Sequence, residues 1–363
     1  MRRTAVLVVL AVSVAGCATA ACSTVDDGEA HPVRVHPEEL RVTGARAVGA
    51  PGPVRVSPDG TQLLRLTGKL CVTALDGSAE KCASPDVQPD SLRAQWSPDG
   101  TKIAFTDDFY VRLLEPDVWV FDVRTGETRN VTDDGVDKVE LGKPDPEETI
   151  DLLPSWSPDG RFVRFARGTP GSDTSALMSI DVVNGELAAV REVHCGIVEL
   201  TALTWSSQRV AWTCGITDAQ VHAAEISQVR EWTVLRAAGP EDRTLLSFSP
   251  DGESLLVDSL APYASADPEG GRASVVPATG GKARPVADGP VAFPAWVPGS
   301  GALVYVAPPG RLMLVTEPGA KPRELRSAKR LTATDGRRLE WGEDTMFVAV
   351  DGELNVLSMT ASG

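Results

Sequence analysis

The sequence predicts an all-β fold, a β-propeller built from four-stranded blades. The tetrapeptide Ser-Pro-Asp-Gly occurs four times, with copies beginning at Ser57, Ser97, Ser157 and Ser249. Each copy follows a hydrophobic residue and precedes a short run rich in β-forming residues. A turn that recurs between two strands at intervals of about 40–60 residues indicates a propeller, because each blade is one repeated unit.

The tetrapeptide predicts a tight hairpin between the first two strands of each blade. Proline fixes φ near −65°, which suits the second position of a type I turn, and Asp can accept hydrogen bonds from nearby backbone N–H groups. Glycine then takes the left-handed conformation that a three-residue hairpin loop requires, while the serine hydroxyl caps the turn.

Degenerate copies of this turn fill the gaps in the series. The residue before each turn, which we call the pre-turn residue, recurs at a mean interval of about 47 residues. The pre-turn residues are Val56, Trp96, Trp156, Trp205, Phe248, Trp296 and Trp341. They predict seven blades, with six as the alternative because the turn after Trp205 is two residues shorter. We expect the tryptophans to pack between blades, and a carbohydrate-stacking platform is the alternative.

The last repeat lacks a strand. After Trp341 the chain holds only two β-rich runs, Met346–Val350 and Leu354–Met359, whereas Glu39–Thr43 precedes the first turn and has no blade of its own. A ring closes without an exposed sheet edge when the N-terminal strand completes the last blade. We therefore predict that segment 35–45 pairs with the C-terminal strand.

These repeats resemble the TolB-like propeller repeat, also called the WD40-like or PD40 repeat, over roughly residues 35–360. In that family a third and a fourth strand follow the turn. Val118–Val123 and Thr128–Thr132 fit these strands after Trp96, as do Ala176–Val182 and Leu187–Val193 after Trp156. The resemblance implies binding of proteins or extended peptides at one face of the ring and its central channel.

The amino terminus resembles that of a bacterial lipoprotein. Met1-Arg2-Arg3 is followed by the apolar stretch Thr4–Val14, a pattern typical of a secretory signal. The sequence Val14-Ala15-Gly16-Cys17 resembles a lipobox, which implies cleavage before a lipidated Cys17. Residues 1–16 are then the signal peptide, 17–34 a lipid-anchored flexible tether, and 35–363 the propeller. The alternative is cleavage after Ala20, which would release a secreted protein.

Composition bears on location and partners. The chain carries a net charge of −15, which disfavours binding to nucleic acid or to an anionic membrane surface. We expect a monomer at the outer face of the cytoplasmic membrane, held there by the lipid anchor only. Other envelope or membrane proteins are its expected partners. The bias toward Ala, Val, Arg, Asp and Gly resembles that of actinobacterial proteins.

The cysteines predict disulfides, which persist in exported proteins. Cys71 and Cys82 are equidistant from Asp76-Gly77, a favoured two-residue hairpin turn. Folding about this turn sets them opposite each other at a Cα separation of about 5.5 Å. Cys195 and Cys214 flank the Trp205 hairpin without symmetry and form the second candidate pair, while Cys22 is left over in the tether. No spacing typical of a zinc site occurs.

One segment departs from the repeat. Between Thr132 and Leu153 the second repeat carries an acidic insertion, residues 133–153, in which Asp133, Asp134, Asp137 and Glu140 are candidate contacts for a partner or a cation such as Ca²⁺. The alternative is a solvated loop without a ligand. Apart from this candidate cation, we expect no cofactor and no metal.

The sequence predicts no catalytic residues. The four histidines include two near the tether, and we interpret His194 and His222 as structural. They do not supply the set used by manganese-dependent lyases of the resembling class, and no Gly-x-Ser-x-Gly motif occurs. The leading hypothesis is a non-enzymatic interaction scaffold. The alternatives are a lipoprotein that binds a sugar, peptide or cation in the funnel and, third, a polysaccharide-active enzyme.

Overall fold

The computed structural model describes the propeller from residue 36 to residue 360 with gaps. The described residues are 36–48, 54–66, 69–83, 94–106, 116–135, 149–169, 171–215, 219–228, 231–236, 243–260, 271–327, 331–332, 339–342, 345–350 and 353–360. The predicted signal peptide, Cys17, Cys22, His31 and the tether lie outside them. Within the described residues, no helix is long and apolar enough to cross a membrane.

A short 3-10 turn (Pro37–Glu39) precedes strands that form seven antiparallel sheets, one per blade. The strands are β1 (Arg41–Ala47) of blade 7; β2 (Val54–Val56), β3 (Gln62–Leu66), β4 (Leu70–Ala74) and β5 (Lys81–Cys82) of blade 1; β6 (Gln95–Trp96), β7 (Lys102–Thr106), β8 (Val118–Asp122) and β9 (Thr128–Asn130) of blade 2; and β10 (Ile150–Trp156), β11 (Phe162–Gly168), β12 (Ser175–Asp181) and β13 (Leu187–Val193) of blade 3.

The remaining strands complete the ring. They are β14 (Leu200–Trp205), β15 (Arg209–Cys214), β16 (Gln220–Glu225) and β17 (Glu231–Arg236) of blade 4; β18 (Arg243–Phe248), β19 (Ser254–Leu260), β20 (Arg272–Pro277) and β21 (Arg284–Pro285) of blade 5; β22 (Ala292–Trp296), β23 (Leu303–Ala307), β24 (Arg311–Val315) and β25 (Arg323–Ser327) of blade 6; and β26 (Leu331–Thr332), β27 (Glu340–Trp341), β28 (Thr345–Val350) and β29 (Glu353–Thr360) of blade 7.

The prediction of seven blades is confirmed. The unit after Trp205 forms a full four-stranded sheet, β14 to β17, so the six-blade alternative is wrong. In blades 1–6 the strands follow chain order, and innermost strands contact one another from blade 7 through blade 1 to blade 5. The first strands therefore surround the central channel, and the fourth strands form the outer rim.

The predicted closure of the ring is also confirmed. Strand β1 pairs antiparallel with β29, so that Arg41 lies opposite Thr360 and Ala47 opposite Asn355. The strand begins later than the predicted Glu39–Thr43, because the 3-10 turn with a proline at its start occupies Pro37–Glu39. Blade 7 differs from the others in its innermost position, where β26 and β27 share the edge of β28.

The core is divided into seven clusters, one between each pair of neighbouring blades. Trp156, for example, packs against Ala104 and Val120 of the preceding blade. The indole N–H groups of Trp96, Trp156 and Trp296 donate to backbone carbonyls of the preceding blade, at 3.3, 3.1 and 3.4 Å. The repeated tryptophans are thus packing residues, as predicted.

Candidate functional site

The connections between strands divide the ring into two faces. Turns that join first to second and third to fourth strands emerge on one side, which we call the turn face. Connections from second to third strands and from each blade to the next emerge on the other side, the loop face. Turn-face connections have three to seven residues, whereas loop-face connections range from two to nineteen. The longest, residues 131–149, joins blades 2 and 3 and contains most of the acidic insertion.

The Ser-Pro-Asp-Gly turns satisfy their own polar groups. In all four copies the serine hydroxyl donates to the aspartate at 2.5–2.6 Å and accepts the backbone N–H five residues on at 2.9 Å. The glycines have φ between 68° and 73°, as the hairpin requires. The hydrogen bond from Ser157 lowers the pKa of Asp159, and Ser249 does the same for Asp251.

Neighbouring turns pack against one another around the turn face. A Cβ built on Gly100 or Gly160 lies 3.6 Å from the proline of the preceding turn, Pro58 or Pro98. A Cβ on Gly342 would lie 2.7 Å from the Cα of Gly60, so glycine is required where blades 7 and 1 meet. On the turn face, the hairpins therefore satisfy their polar groups within each turn and pack their surfaces against the neighbouring turns.

The loop face carries a buried polar network at the base of the acidic insertion. The carboxylate of Asp151, which is 0% exposed, accepts two hydrogen bonds from Arg167, at 2.8 Å from Nε and 2.6 Å from Nη2. Arg167 Nη2 also lies 3.5 Å from the carbonyl of Thr132, whose hydroxyl donates to Asp117 at 3.1 Å. The network joins both ends of the insertion to β11.

Burial sets the protonation of this network. It raises the pKa of Asp151 to about 6, although the Arg167 guanidinium opposes the shift. Burial also raises the pKa of Asp117, which accepts hydrogen bonds from Asn130 and Thr132. The hydrogen bonds to Asp151 raise the pKa of the Arg167 guanidinium above its usual value. At neutral pH a charged pair therefore lies buried beneath the insertion.

Two of the four predicted contact residues of the insertion lie in the described part. Asp133 and Asp134 are exposed, and Asp134 accepts a hydrogen bond from the Thr149 hydroxyl at 3.0 Å. Asp133 caps the N–H of Gly135 at 2.9 Å. Asp137 and Glu140 lie outside the described residues. The proposed calcium site thus stays a prediction, while the stem of the insertion is fixed by Asp134 and Thr149.

Both predicted disulfides are present, Cys71–Cys82 and Cys195–Cys214. Both lie at the loop face, because Cys71 is the second residue of a third strand, Cys82 ends a fourth and Cys214 ends a second. In the described residues, the groups of three potential metal ligands are these cystines with Glu80 or Glu199. Sulfur atoms joined in a disulfide are not the thiolates that bind zinc.

The geometry around the first disulfide differs from the prediction in two respects. The hairpin closes with a three-residue loop, Leu75–Gly77, and Ala79 at φ 55° supplies an extra residue that restores the expected register. The Cα atoms lie 4.0 Å apart instead of about 5.5 Å. Ala83 N–H donates to Leu70 C=O, which places the cysteines at a non-hydrogen-bonded pair, where strands approach more closely.

The first strands contribute a second set of equivalent residues, those immediately before each pre-turn residue. Arg55 and Glu340 of this set form an ion pair at 3.2 Å that joins blades 1 and 7 beside the channel. The set is polar at six of seven positions: Arg55, Gln95, Ser155, Thr204, Ser247, Ala295 and Glu340. The innermost strands thus carry a hydrogen-bonding side chain at the same position in six blades, and the buried Arg55 uses its own in the pair with Glu340.

Sequence reasoning missed a third set. The side-chain oxygens Thr106 Oγ1, Thr213 Oγ1 and Asp258 Oδ1 are buried and have no hydrogen-bond partner among the described residues. All three occupy one repeat position near the loop-face end of a second strand. Burial raises the pKa of Asp258 to about 7. Counting residues from the pre-turn position could have aligned them, but their burial only becomes visible in three dimensions.

The described histidines lie apart from these sets. His222 stacks on Trp212 in blade 4 with ring centroids 5.5 Å apart, and burial lowers its pKa. His194 is exposed beside the second disulfide, and His36 precedes the 3-10 turn. The structural interpretation of His222 is consistent with this stacking.

Comparison with known proteins supports the fold. Residues 65–171 match the family described as the dipeptidyl peptidase IV (DPP IV) N-terminal region. No curated protein matches the chain. An oligogalacturonate lyase solved in complex with manganese superposes with a TM-score of 0.58 at 11% identity, covering 87% of this chain and 93% of the lyase.

Two further structures are similar. The β-propeller domain of the Trilobed protease from Pyrococcus furiosus has a TM-score of 0.53 at 12% identity, covering 86% of this chain and 97% of that domain. It is described as having an open velcro topology, whereas β1 closes the ring here. TolB from Acinetobacter baumannii has a TM-score of 0.44 at 16% identity, covering 87% of this chain and 64% of TolB. The lyase and the protease propeller domain share the fold of this chain, and at identities this low their activities do not transfer to it.

Proposed function

We propose that this protein is an extracytoplasmic lipoprotein, tethered through Cys17, whose propeller is a non-enzymatic scaffold that binds other envelope proteins through its loop face. The observation that carries the proposal is the difference between the two faces. Turn-face hairpins use their polar groups internally, whereas the loop face presents a long acidic connection on stems that a buried ion pair holds in place. Loops positioned by a rigid scaffold are common binding sites.

The point at which the chain enters the ring supports the loop face as the binding face. Strand β1 begins at the turn face, because Arg41 lies opposite Thr360 at the end of β29. Arg323 of blade 6 secures this entry by donating to the carbonyls of Pro37, Glu38 and Leu40 at 3.4, 3.3 and 2.9 Å. The described chain therefore enters the ring at the turn face, on the side opposite the proposed binding face.

Two features support an exported location and a cationic partner. Disulfides persist outside the cytoplasm, and this propeller has two. The net charge of −15 favours basic surfaces, and electrostatic complementarity accelerates and selects association. Envelope proteins with a basic exposed domain are therefore the expected partners.

The proposal is tested by photo-crosslinking in cells. A benzoylphenylalanine replaces Asp133 on the loop face or Glu127, an exposed residue of a turn-face hairpin in the same blade. We expect protein adducts from position 133 and few from position 127, with the adducts identified by mass spectrometry. Adducts confined to position 127, or none at either position, would contradict a loop-face scaffold.

The tether is tested separately. Metabolic labelling with palmitate is expected to label the wild-type protein and not Cys17→Ala, which should leave the membrane fraction. A Cys17→Ala protein that stays fully membrane-bound would remove the lipid anchor from the proposal.

A second candidate function rests on the ring of polar residues along the first strands. A sugar, peptide or cation in the channel would meet the Arg55–Glu340 pair and the Gln95, Ser155 and Thr204 side chains. Thermal-shift screening with neutral oligosaccharides, peptides and divalent cations separates this candidate from the scaffold. A ligand whose stabilising effect is lost in Gln95→Ala, and kept in the loop-face variant Asp133→Ala, would favour the channel.

A further inference from the structure

The outer strand of each blade has one edge that no described strand covers, and blade 3 differs from the others at this edge. Natural sheets protect such edges by shortness, charge or proline. Six outer strands follow this rule: β5 and β9 are short, β21 is short and contains Pro285, and β1, β17 and β25 carry charged residues at or near both ends. Strand β13 has seven residues, and its first four, Leu187–Val190, are uncharged.

Apolar surface is exposed at the same place. Val183, in the turn that leads into β13, is 82% exposed, and Leu187 is 40% exposed. They are two of the three large hydrophobic residues exposed in the described part of the chain. Ala188 and Ala189 continue this exposed surface along the strand.

The backbone of β13 directs hydrogen-bonding groups toward the open side. Asp181 N–H donates to Glu186 C=O at 3.0 Å, which sets the alternation of bonded and non-bonded pairs along the hairpin. Leu187, opposite Ile180, and Ala189, opposite Met178, then fall at non-hydrogen-bonded pairs. Their N–H and C=O groups point away from β12, toward the edge where another strand could pair.

Charge indicates what would pair there. Glu186 is exposed immediately before the uncharged run, and Glu192 is exposed two residues after it, beyond Arg191, whose guanidinium donates to the carbonyl of Gln228 at 2.6 Å. A second copy of this chain would bring the same glutamates and a net charge of −15 to the contact, which self-repulsion opposes. A strand with cationic residues flanking apolar ones would match both the glutamates and the run between them.

We propose that the outer edge of β13 binds an extended segment of a partner protein by β-strand addition. In that segment β-forming residues lie between Lys or Arg residues that face Glu186 and Glu192. The main chain of Leu187 and Ala189 supplies the hydrogen bonds, and Val183 and Leu187 supply apolar contact. This inference rests on the interaction role proposed above and assigns it a second surface.

The test selects a displayed library of random ten-residue peptides on the immobilised, folded protein. The enriched peptides are then titrated against the wild-type protein and three variants in solution. Ala189→Pro removes an outward N–H without breaking the β12–β13 ladder, and Ala189→Lys places a repelling charge at the edge. Thr233→Lys makes the same charge change at an exposed position of the outer strand of blade 4 and is the matched control. Thermal unfolding confirms that each variant folds.

We expect enriched peptides with basic residues flanking β-forming ones. Their affinity should fall about tenfold or more in Ala189→Pro and Ala189→Lys and by less than about twofold in Thr233→Lys. Enrichment of peptides without basic flanks, equal binding to the Ala189 variants, or no enrichment would overturn the proposal. Self-association that sedimentation detects and Ala189→Pro abolishes would overturn it in favour of a second copy.

The outcome is distinguishable from failure of the general scaffold function. If the library selection fails while position 133 still forms cross-links in cells, the β13 edge is not a docking site and the loop-face scaffold stands. If position 133 also forms none, the scaffold function itself fails.

Discussion

The two faces of this ring differ in the sequence separation of the contacts that stabilise them. Turn-face contacts join residues close in sequence, whereas loop-face contacts join residues further apart. On the turn face the Ser57 hydroxyl and the Asp59 carboxylate bond within a single hairpin, and the other three copies repeat this geometry. On the loop face Asp151 and Arg167 join separate strands, and two disulfides link positions 11 and 19 residues apart. A face whose hydrogen bonds form within single turns is regular. A face stabilised by contacts between residues further apart in sequence can accept insertions between the contacting residues.

Left-handed backbone conformations and buried polar atoms without a partner occur on both halves of the described blades. Ala79 lies in a turn-face hairpin and Trp205 Nε1 lies beside a turn, whereas Asp258 Oδ1 lies toward the loop face. Leu153 and Phe293 have φ of 61° and 54°, both three residues before a pre-turn tryptophan, where the register to the second strand shifts. Asp258 lies near the loop-face end of its strand. Backbone strain of this kind costs about 1–3 kcal/mol and is common at functional sites. Departures from an ideal repeat are therefore not confined to the proposed binding face.

Breaking the buried pair of Asp151 and Arg167 should lower the free energy of unfolding more than any other change considered below. Arg167→Ala leaves the fully buried Asp151 without its cation and is expected to lower the free energy of unfolding by about 3–5 kcal/mol. Arg161→Ala is the control, because that guanidinium is 58% exposed in its pair with Asp181 and should cost less than about 1 kcal/mol. Chemical denaturation measures both. Equal losses would mean that the loop face does not depend on the buried pair.

Asp258 should give the loop-face half a distinctive pH dependence. Its pKa is about 7 in the fold against 3.8 ordinarily, so the folded state binds the extra proton between these values. Stability from this group is complete below about pH 4 and is lost as the pH rises through 7, a difference of roughly 4 kcal/mol. Asp258→Asn should flatten this dependence and be the more stable protein at pH 8. Parallel unfolding profiles of the two proteins from pH 4 to 8 would refute the prediction.

Removing either disulfide should weaken the loop face by an intermediate amount. Replacing both cysteines of a pair by serine is expected to cost roughly 2–3 kcal/mol, with the 19-residue Cys195–Cys214 link costing slightly more than the 11-residue Cys71–Cys82 link. Urea unfolding of the oxidised variants measures this. If photo-crosslinking from position 133 is unchanged in both, the disulfides stabilise the ring without shaping the binding face.

The turn face should show the smallest and most uniform effects. Ser157→Ala removes the hydroxyl that bonds Asp159 and the N–H of Phe162, and we expect a loss of about 1 kcal/mol. The same change at Ser57, Ser97 or Ser249 should agree within about 0.5 kcal/mol, since their geometry is the same. A large effect at a single copy would show that the four turns are not equivalent.

The repeated features were predictable from sequence because their causes are local. The four turns, the pre-turn tryptophans and the Cys71–Cys82 register all follow from residues a few positions apart. The same reasoning gave the wrong loop length and Cα separation at that disulfide, because an extra residue, Ala79, is invisible to symmetric counting. The Asp151–Arg167 pair and the burial of Asp258 were missed, since nothing nearby in the sequence marks them.

The sequence by itself determined the propeller, its number of blades and the strand that closes it, because spacing and turn chemistry act within one hairpin or one repeat. Only the tertiary structure decided which carboxylates are buried, which faces carry the long connections and which of seven outer edges stays apolar and exposed. Those properties depend on what packs against each residue from a neighbouring blade. The physical reason is that burial and pairing energies arise between segments that are distant in the sequence. These segments become neighbours only when the ring closes.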